Sequence, residues 1–202
     1  MIFFKREGRK ISLVLCAALF ILLTLTGCQQ KEQQNDGFMD GDRVASFEAL
    51  YGQDKASVLK ELGLKEDDVS QEESQGMWNL KEPVSFEGKE FSKSLLYDVS
   101  AETFYGMQYL YHSDDETEIT ELVENLLKEG TNLYGEPSTY PGLQNRLTSE
   151  EFTEDFSKAM AEGTAADWRE EWTVGEKTLC TLSVMVAETN SAAVILQYAP
   201  AG

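Results

Sequence analysis

Basic residues are scarce in this chain: 17 Lys and Arg stand against 36 Asp and Glu in 202 residues, for a formal charge of −19. Lys5, Arg6, Arg9 and Lys10 against Glu7 make residues 1–27 locally +3, which leaves −22 on residues 28–202. A body so acidic repels polyanions, which argues against nucleic-acid binding and against direct adhesion to anionic lipid headgroups. Cationic partners such as basic peptides or Ca²⁺ stay open. Histidine occurs once, at His112. Without a second His or a Cys cluster, a zinc site would have to be built of carboxylates, which is uncommon. A Ser-His-Asp or Cys-His hydrolase would have to use that one imidazole, and no nucleophile-elbow pattern surrounds any Ser. His112 reads as a boundary residue between a strand and a helix. No G-x-G-x-x-G, P-loop, His-Glu-x-x-His or Cys-x-x-Cys is present, so nucleotide and zinc-protease readings lack support and no cofactor is expected.

Long apolar runs are also missing, with one exception near the start. Ile11 to Leu25 is almost wholly apolar, yet at fifteen residues it is shorter than the ~20 that span a bilayer. It follows a basic head and ends in small residues, the layout of a secretory signal. The end reads Leu25-Thr26-Gly27-Cys28. This resembles the lipobox of bacterial lipoproteins. The resemblance implies a diacylglyceryl thioether on Cys28, cleavage between Gly27 and Cys28, and a mature chain held on the extracytoplasmic side of the cell membrane. By the same analogy Gln29, which is not Asp, gives no signal for retention in an inner membrane. Two acyl chains anchor stably where one is marginal, since each buried methylene contributes ~0.8 kcal/mol.

Cysteine usage agrees. Cys16 lies in the signal and Cys28 at the proposed lipid site, so Cys180 is left alone and no disulfide can form within the mature chain. Its setting, Thr178 to Leu182, reads as a strand, and Cys180 as a small buried hydrophobe.

Residues 28–42 are polar and rich in Gln, Asp and Gly, the composition of a flexible tether. Asp36, Asp40 and Asp42 with Gly41 miss the ligand spacing of a Ca²⁺ loop. The globular part is expected over 43–202. Short helices are predicted over 43–51 and 54–62, the second closed by Gly63. Strands follow over Met77–Phe86, Phe91–Val99 and Phe104–Tyr111, with turns at Glu87-Gly88 and Ser100–Glu102. Ile119, Leu122, Val123, Leu126 and Leu127 form one helical stripe, capped by Ser113 with Glu116 or Asp115 with Glu118. Thr148 and Glu151 suggest a capping box for a helix bearing Phe152, Phe156 and Met160. Three strands end the chain: Trp168–Val174, Lys177–Ala187 and Ala192–Ala199.

The order is α-α-β-β-β twice over, with Leu-Tyr-Gly at 50–52 and again at 133–135, which suggests duplicated halves 43–112 and 113–202. The class is α+β: an antiparallel sheet with helices packed on one face.

Carboxylate pairs such as Glu66-Asp67-Asp68 and Glu170-Glu171 are frequent, but a glycosidase needs two from separate elements facing one cleft, and nothing singles such a pair out. Alternation puts Tyr105, Met107, Tyr109 and Tyr111 on one side of a strand and Phe104, Gly106, Gln108 and Leu110 on the other. If helices cover Phe104 and Leu110, the tyrosines form an outward face fit to stack sugars or anchor a protein. If helices cover the tyrosines, that face is core. The expectation is a non-enzymatic binding or accessory module of the cell envelope, taking a protein, peptide or wall ligand. The alternative is a wall-directed hydrolase using acidic residues.

Overall fold

The computed structural model describes residues 38–202 except 73–75, 139–144 and 188–189. Cys28, Gly27 and the signal lie outside the described residues. Each helix grows from a local signal. Asp40 accepts from Arg43 N at 2.9 Å and opens α1 (Gly41–Glu48). Asp54 accepts from Ser57 N at 3.0 Å and opens α2 (Lys55–Glu61), which buries Val58 and Leu59. Asp115 accepts from Glu118 N at 3.1 Å and opens α3 (Glu116–Tyr134), the second of the two caps expected there. Its predicted stripe is the buried face: Ile119, Leu122, Val123 and Leu126 are at most 2% exposed. The fourth helix, α4 (Phe152–Glu162), buries Phe152, Phe156, Ala159 and Met160 and ends at Gly163 in the left-handed region.

The strands are β1 (Val69–Glu72), β2 (Met77–Leu80), β3 (Val84–Phe86), β4 (Lys89–Asp98), β5 (Thr103–Ser113), β6 (Ala166–Val174), β7 (Thr178–Ala187) and β8 (Ser191–Pro200). They form one antiparallel sheet in the order β1-β2-β4-β5-β8-β7-β6, with β3 paired to the start of β4. Helices α2, α3 and α4 pack against it, as the α+β reading requires. The third strand of each suggested half lies beside the other, β5 against β8. Inward positions of β6, β7 and β8, such as Trp172, Leu182, Val184 and Leu196, join the helical stripes in a single core. Burying each such side chain stabilises by ~1.5–3 kcal/mol.

Several expectations need correction. The tether does not extend to residue 42. Phe38 and Met39 are buried, Phe38 packing edge-on against Trp172, and Asp40 already caps α1. Two apolar residues inside a polar stretch are enough to pin it. The run Met77–Phe86 is two strands, broken at residues 81–83, where Pro83 has no N–H for a ladder. Val69–Glu72 is an edge strand that its polar sequence did not announce. The Thr148/Glu151 capping box does not form: Glu151 makes no side-chain cap, and the Thr148 hydroxyl instead donates to Glu170 at 2.6 Å.

Described residues on either side of 139–144 pair with the edge strand β6. Ser138 N donates to Glu171 O at 2.7 Å, and Arg169 N to Asn145 O at 3.0 Å. Covered edges do not recruit stray strands.

Candidate functional site

The face expected to gather Tyr105, Met107, Tyr109 and Tyr111 does not exist as one surface. Met107 and Tyr109 are 3% and 1% exposed and belong to the core. Tyr111 is half-buried beside Phe91, with ring centroids 5.4 Å apart. Tyr105 alone is exposed. The cause is a β-bulge. Along β4–β5 the register runs Leu95 to Met107 and Leu96 to Gly106, then jumps to Tyr97 opposite Phe104, so Tyr105 is the extra residue. A bulge breaks alternation and re-aims a side chain. Here it turns Phe104 into the core, fully buried, and sends Tyr105 outward. Helices thus cover the Met107/Tyr109 side, and the opposite side holds Leu110, Gln108 and His112, with Ile195, Gln197 and Ala193 of β8 beside them.

Tyr105 forms part of an open cleft of about 580 Å³ at one end of the sheet. The other lining residues are Tyr51, Gly52, Gly76, Tyr97, Asp98, Val99, Thr103, Phe104 and Pro200. Distant segments are brought together by main-chain bonds. Gly52 N donates to Phe104 O at 2.8 Å and Phe104 N to Gln53 O at 2.9 Å, so the turn after α1 pairs with β5 where the bulge frees it from β8. Tyr97 N donates to Gly76 O at 2.7 Å. Gly76 has φ +64°, and a Cβ there would lie 2.6 Å from Tyr97 O, so this wall requires glycine. Tyr51 stacks on Phe104 at 6.1 Å and 25°, and its hydroxyl shares a 3.0 Å hydrogen bond with Thr178 Oγ1. Burial raises the Tyr51 pKa to about 12, so the phenol stays neutral.

The rim is the hairpin that joins β4 to β5. Asp98 Oδ1 accepts from Ser100 N at 2.7 Å, Ser100 Oγ at 2.5 Å and Ala101 N at 3.0 Å. These bonds, led by the Ser100 hydroxyl, hold the Asp98 carboxyl below its usual range. Val99, at the tip, is 65% exposed, and Tyr105 is 37% exposed. Both are apolar surface left at the mouth of one cleft, beside a single ionised carboxylate and no cationic side chain.

Neighbouring chemistry has the same flavour. Trp78 stacks on Tyr97 with ring centroids 3.6 Å apart, and Lys55 Nζ sits 4.1 Å from the Trp78 centroid while bonded to Glu66 at 2.8 Å.

Other sequence candidates lie elsewhere. Glu170 is fully buried on β6, engaged by Arg146 and Thr148. His112 is exposed on β5 opposite Ala193. Cys180 is fully buried, and burial pushes its thiol pKa far up, so it is an inert core residue. No group of three or more His, Cys, Asp or Glu that could hold a metal occurs among the described residues. Nor is any described helix long and apolar enough to cross a membrane.

The sequence reading found Tyr105 but missed Asp98, Val99, Gly76, Tyr51 and Pro200. Asp98-Val99-Ser100 is a recognisable Asx-turn signal. Nothing local in the sequence places Gly76 or Pro200 beside it. No protein-family model, curated protein or solved structure matches this chain.

Proposed function

We propose that this protein is a lipid-anchored, extracytoplasmic binding or accessory module of the bacterial cell envelope, non-enzymatic, tethered through diacylglyceryl-modified Cys28 and using the Tyr105 cleft as its binding site. The observation that carries the address is the sequence Leu25-Thr26-Gly27-Cys28 placed directly after a fifteen-residue apolar run. Such a run is too short to span a bilayer, and the motif supplies a thiol at the membrane face. The cleft supports binding over catalysis. Among the described residues its lining offers one carboxylate, Asp98, already committed to a turn through Oδ1, and hydrolysis of glycans needs two carboxylates facing the same bond. Exposed Val99 and Tyr105 give it apolar contact area of the kind recognition surfaces use.

Metabolic labelling with an alkyne palmitate tests this reading. The wild-type chain takes up label and sediments with membranes. Cys28→Ser takes up none and leaves the membrane fraction or keeps its signal. Equal labelling of both, or no label on the wild type, overturns the proposal.

A further inference from the structure

We propose that the cleft between Tyr51, Asp98 and Tyr105 binds an aliphatic ammonium group, the head of a small amine or of a lysine side chain. The inference deepens the binding reading and rests on the cleft being the site of recognition.

Three features of the lining select for that chemistry. The first is charge. Among the described lining residues Asp98 is the single carboxyl, and no Lys, Arg or His joins it. This carboxylate repels an anionic ligand and attracts a cation. The second is the free valence of that carboxylate. All three turn bonds fall on Oδ1, and Oδ2 takes none from the described residues. An ammonium N–H can therefore bond Oδ2 without dismantling the hairpin. The third is the aromatic and apolar wall. Tyr105 and Tyr51 are the aromatic side chains nearest the rim, and Val99 and Pro200 are apolar residues of the same lining. Rings attract a cation through their faces, and the aliphatic groups receive the methylenes that precede it.

A hard divalent ion would not be served, because Ca²⁺ takes six to eight oxygen ligands and the lining supplies one carboxylate. The protein already makes contacts of this kind internally. Lys55 lies over the Trp78 ring with Glu66 as its acidic partner, and Trp78 stacks on the ring of Tyr97, itself a lining residue. The charge of −22 on residues 28–202 would also raise the local concentration of cations.

The test uses the full chain in maltoside micelles, with amide shifts of Val99, Thr103 and Tyr105 followed during titration with n-butylammonium, n-butanol and butyrate. The expected result is saturable millimolar binding of n-butylammonium, at least fivefold weaker binding of n-butanol, and none of butyrate. Asp98→Asn keeps the Oδ1 acceptor and the turn, and should weaken n-butylammonium about tenfold. Val99→Lys places a tethered ammonium at an exposed rim position and should abolish binding with the fold intact. N-acetyl-lysine methylamide is a further arm: binding within threefold of n-butylammonium supports a lysine side chain as the source, and binding of n-butylammonium alone supports a free amine. Equal shifts from n-butanol, wild-type affinity in Asp98→Asn, or no shift at the three amides would overturn the inference. The palmitate experiment tests the Cys28 anchor and not the cleft, so failure of this inference is distinguishable from failure of the anchor reading.

Discussion

Arg146 reaches across from the α3–α4 connection to grip Glu170, its Nε 3.0 Å and its terminal nitrogen 2.5 Å from the carboxylate of a side chain that is fully buried. Thr148 adds two more donors, its N–H at 3.0 Å and its hydroxyl at 2.6 Å. Arg146 also bridges to Arg169 of β6 through the backbone, so the ion pair holds its segment against the sheet edge. Arg146→Ala strands a buried carboxylate and should cost about 3 kcal/mol or more in chemical denaturation. Arg146→Met with Glu170→Leu removes both charges and should recover most of that loss. If the double variant is no more stable than Arg146→Ala, the pair is not what matters at this position.

Residues 38–42 belong to the fold. Phe38 and Met39 are buried, Met39 N donates to Tyr198 Oη at 3.1 Å, and the Tyr134 hydroxyl donates to Met39 O. A chain that starts at Arg43 should therefore be less stable than one that starts at Asn35 by about 3 kcal/mol or more, from two lost side-chain burials. Urea titration of the two chains checks this, and equal midpoints would refute it.

Acid sensitivity should centre on Glu118. Hydrogen bonds, first from Lys89 and then from Ser113, pull its pKa from the ordinary 4.5 to about 2. Between those values the unfolded chain holds the proton and the folded chain does not, so protons favour unfolding. Stability tied to Glu118 is full above pH 4.5 and lost as pH falls toward 2. Asp98, Asp54 and Glu48 are lowered as well and add to the trend. Melting temperatures from pH 6 to pH 2 should fall less steeply for Glu118→Gln than for the parent. Parallel curves would contradict the assignment.

Gly106 allows the bulge. A Cβ there would lie 2.5 Å from Tyr198 O and 3.3 Å from a Leu96 methyl. Gly106→Ala should force β5 and β8 apart and destabilise by about 1–3 kcal/mol. The Tyr105 amide should shift with it, because Tyr105 is the residue the bulge extrudes. Wild-type stability together with an unmoved Tyr105 amide would show that the backbone has room.

The helices were legible because their signals are local. The stripe from Ile119 to Leu126, the Asp115 cap and the glycine stops at 63 and 163 each act within a turn or two. The hairpin at Glu87-Gly88 was legible for the same reason: both residues have positive φ, at 47° and 75°, the backbone of a tight two-residue turn. Met107 and Tyr109 follow the second reading of their strand, since helices cover that side and make it core. Tyr105 alone departs from it, because strict alternation cannot foresee a bulge, which depends on how β4 meets β5 and on the close approach of β8 to Gly106. The cleft was half legible. Tyr105 and the turn over 100–102 lie together in sequence, but Gly76, Tyr51 and Pro200 come from 29, 54 and 95 residues away from Tyr105, through pairings that no local pattern encodes. Glu170 could not be told from its half-buried neighbour Glu171 until its strand was placed with one side inward.

The most direct test of the account is mass spectrometry of the N-terminal peptide of the native chain purified from membranes. The expected peptide begins at Cys28 and carries a thioether-linked diacylglyceryl group. An intact Met1, or a first residue with no fatty acid attached, would contradict it.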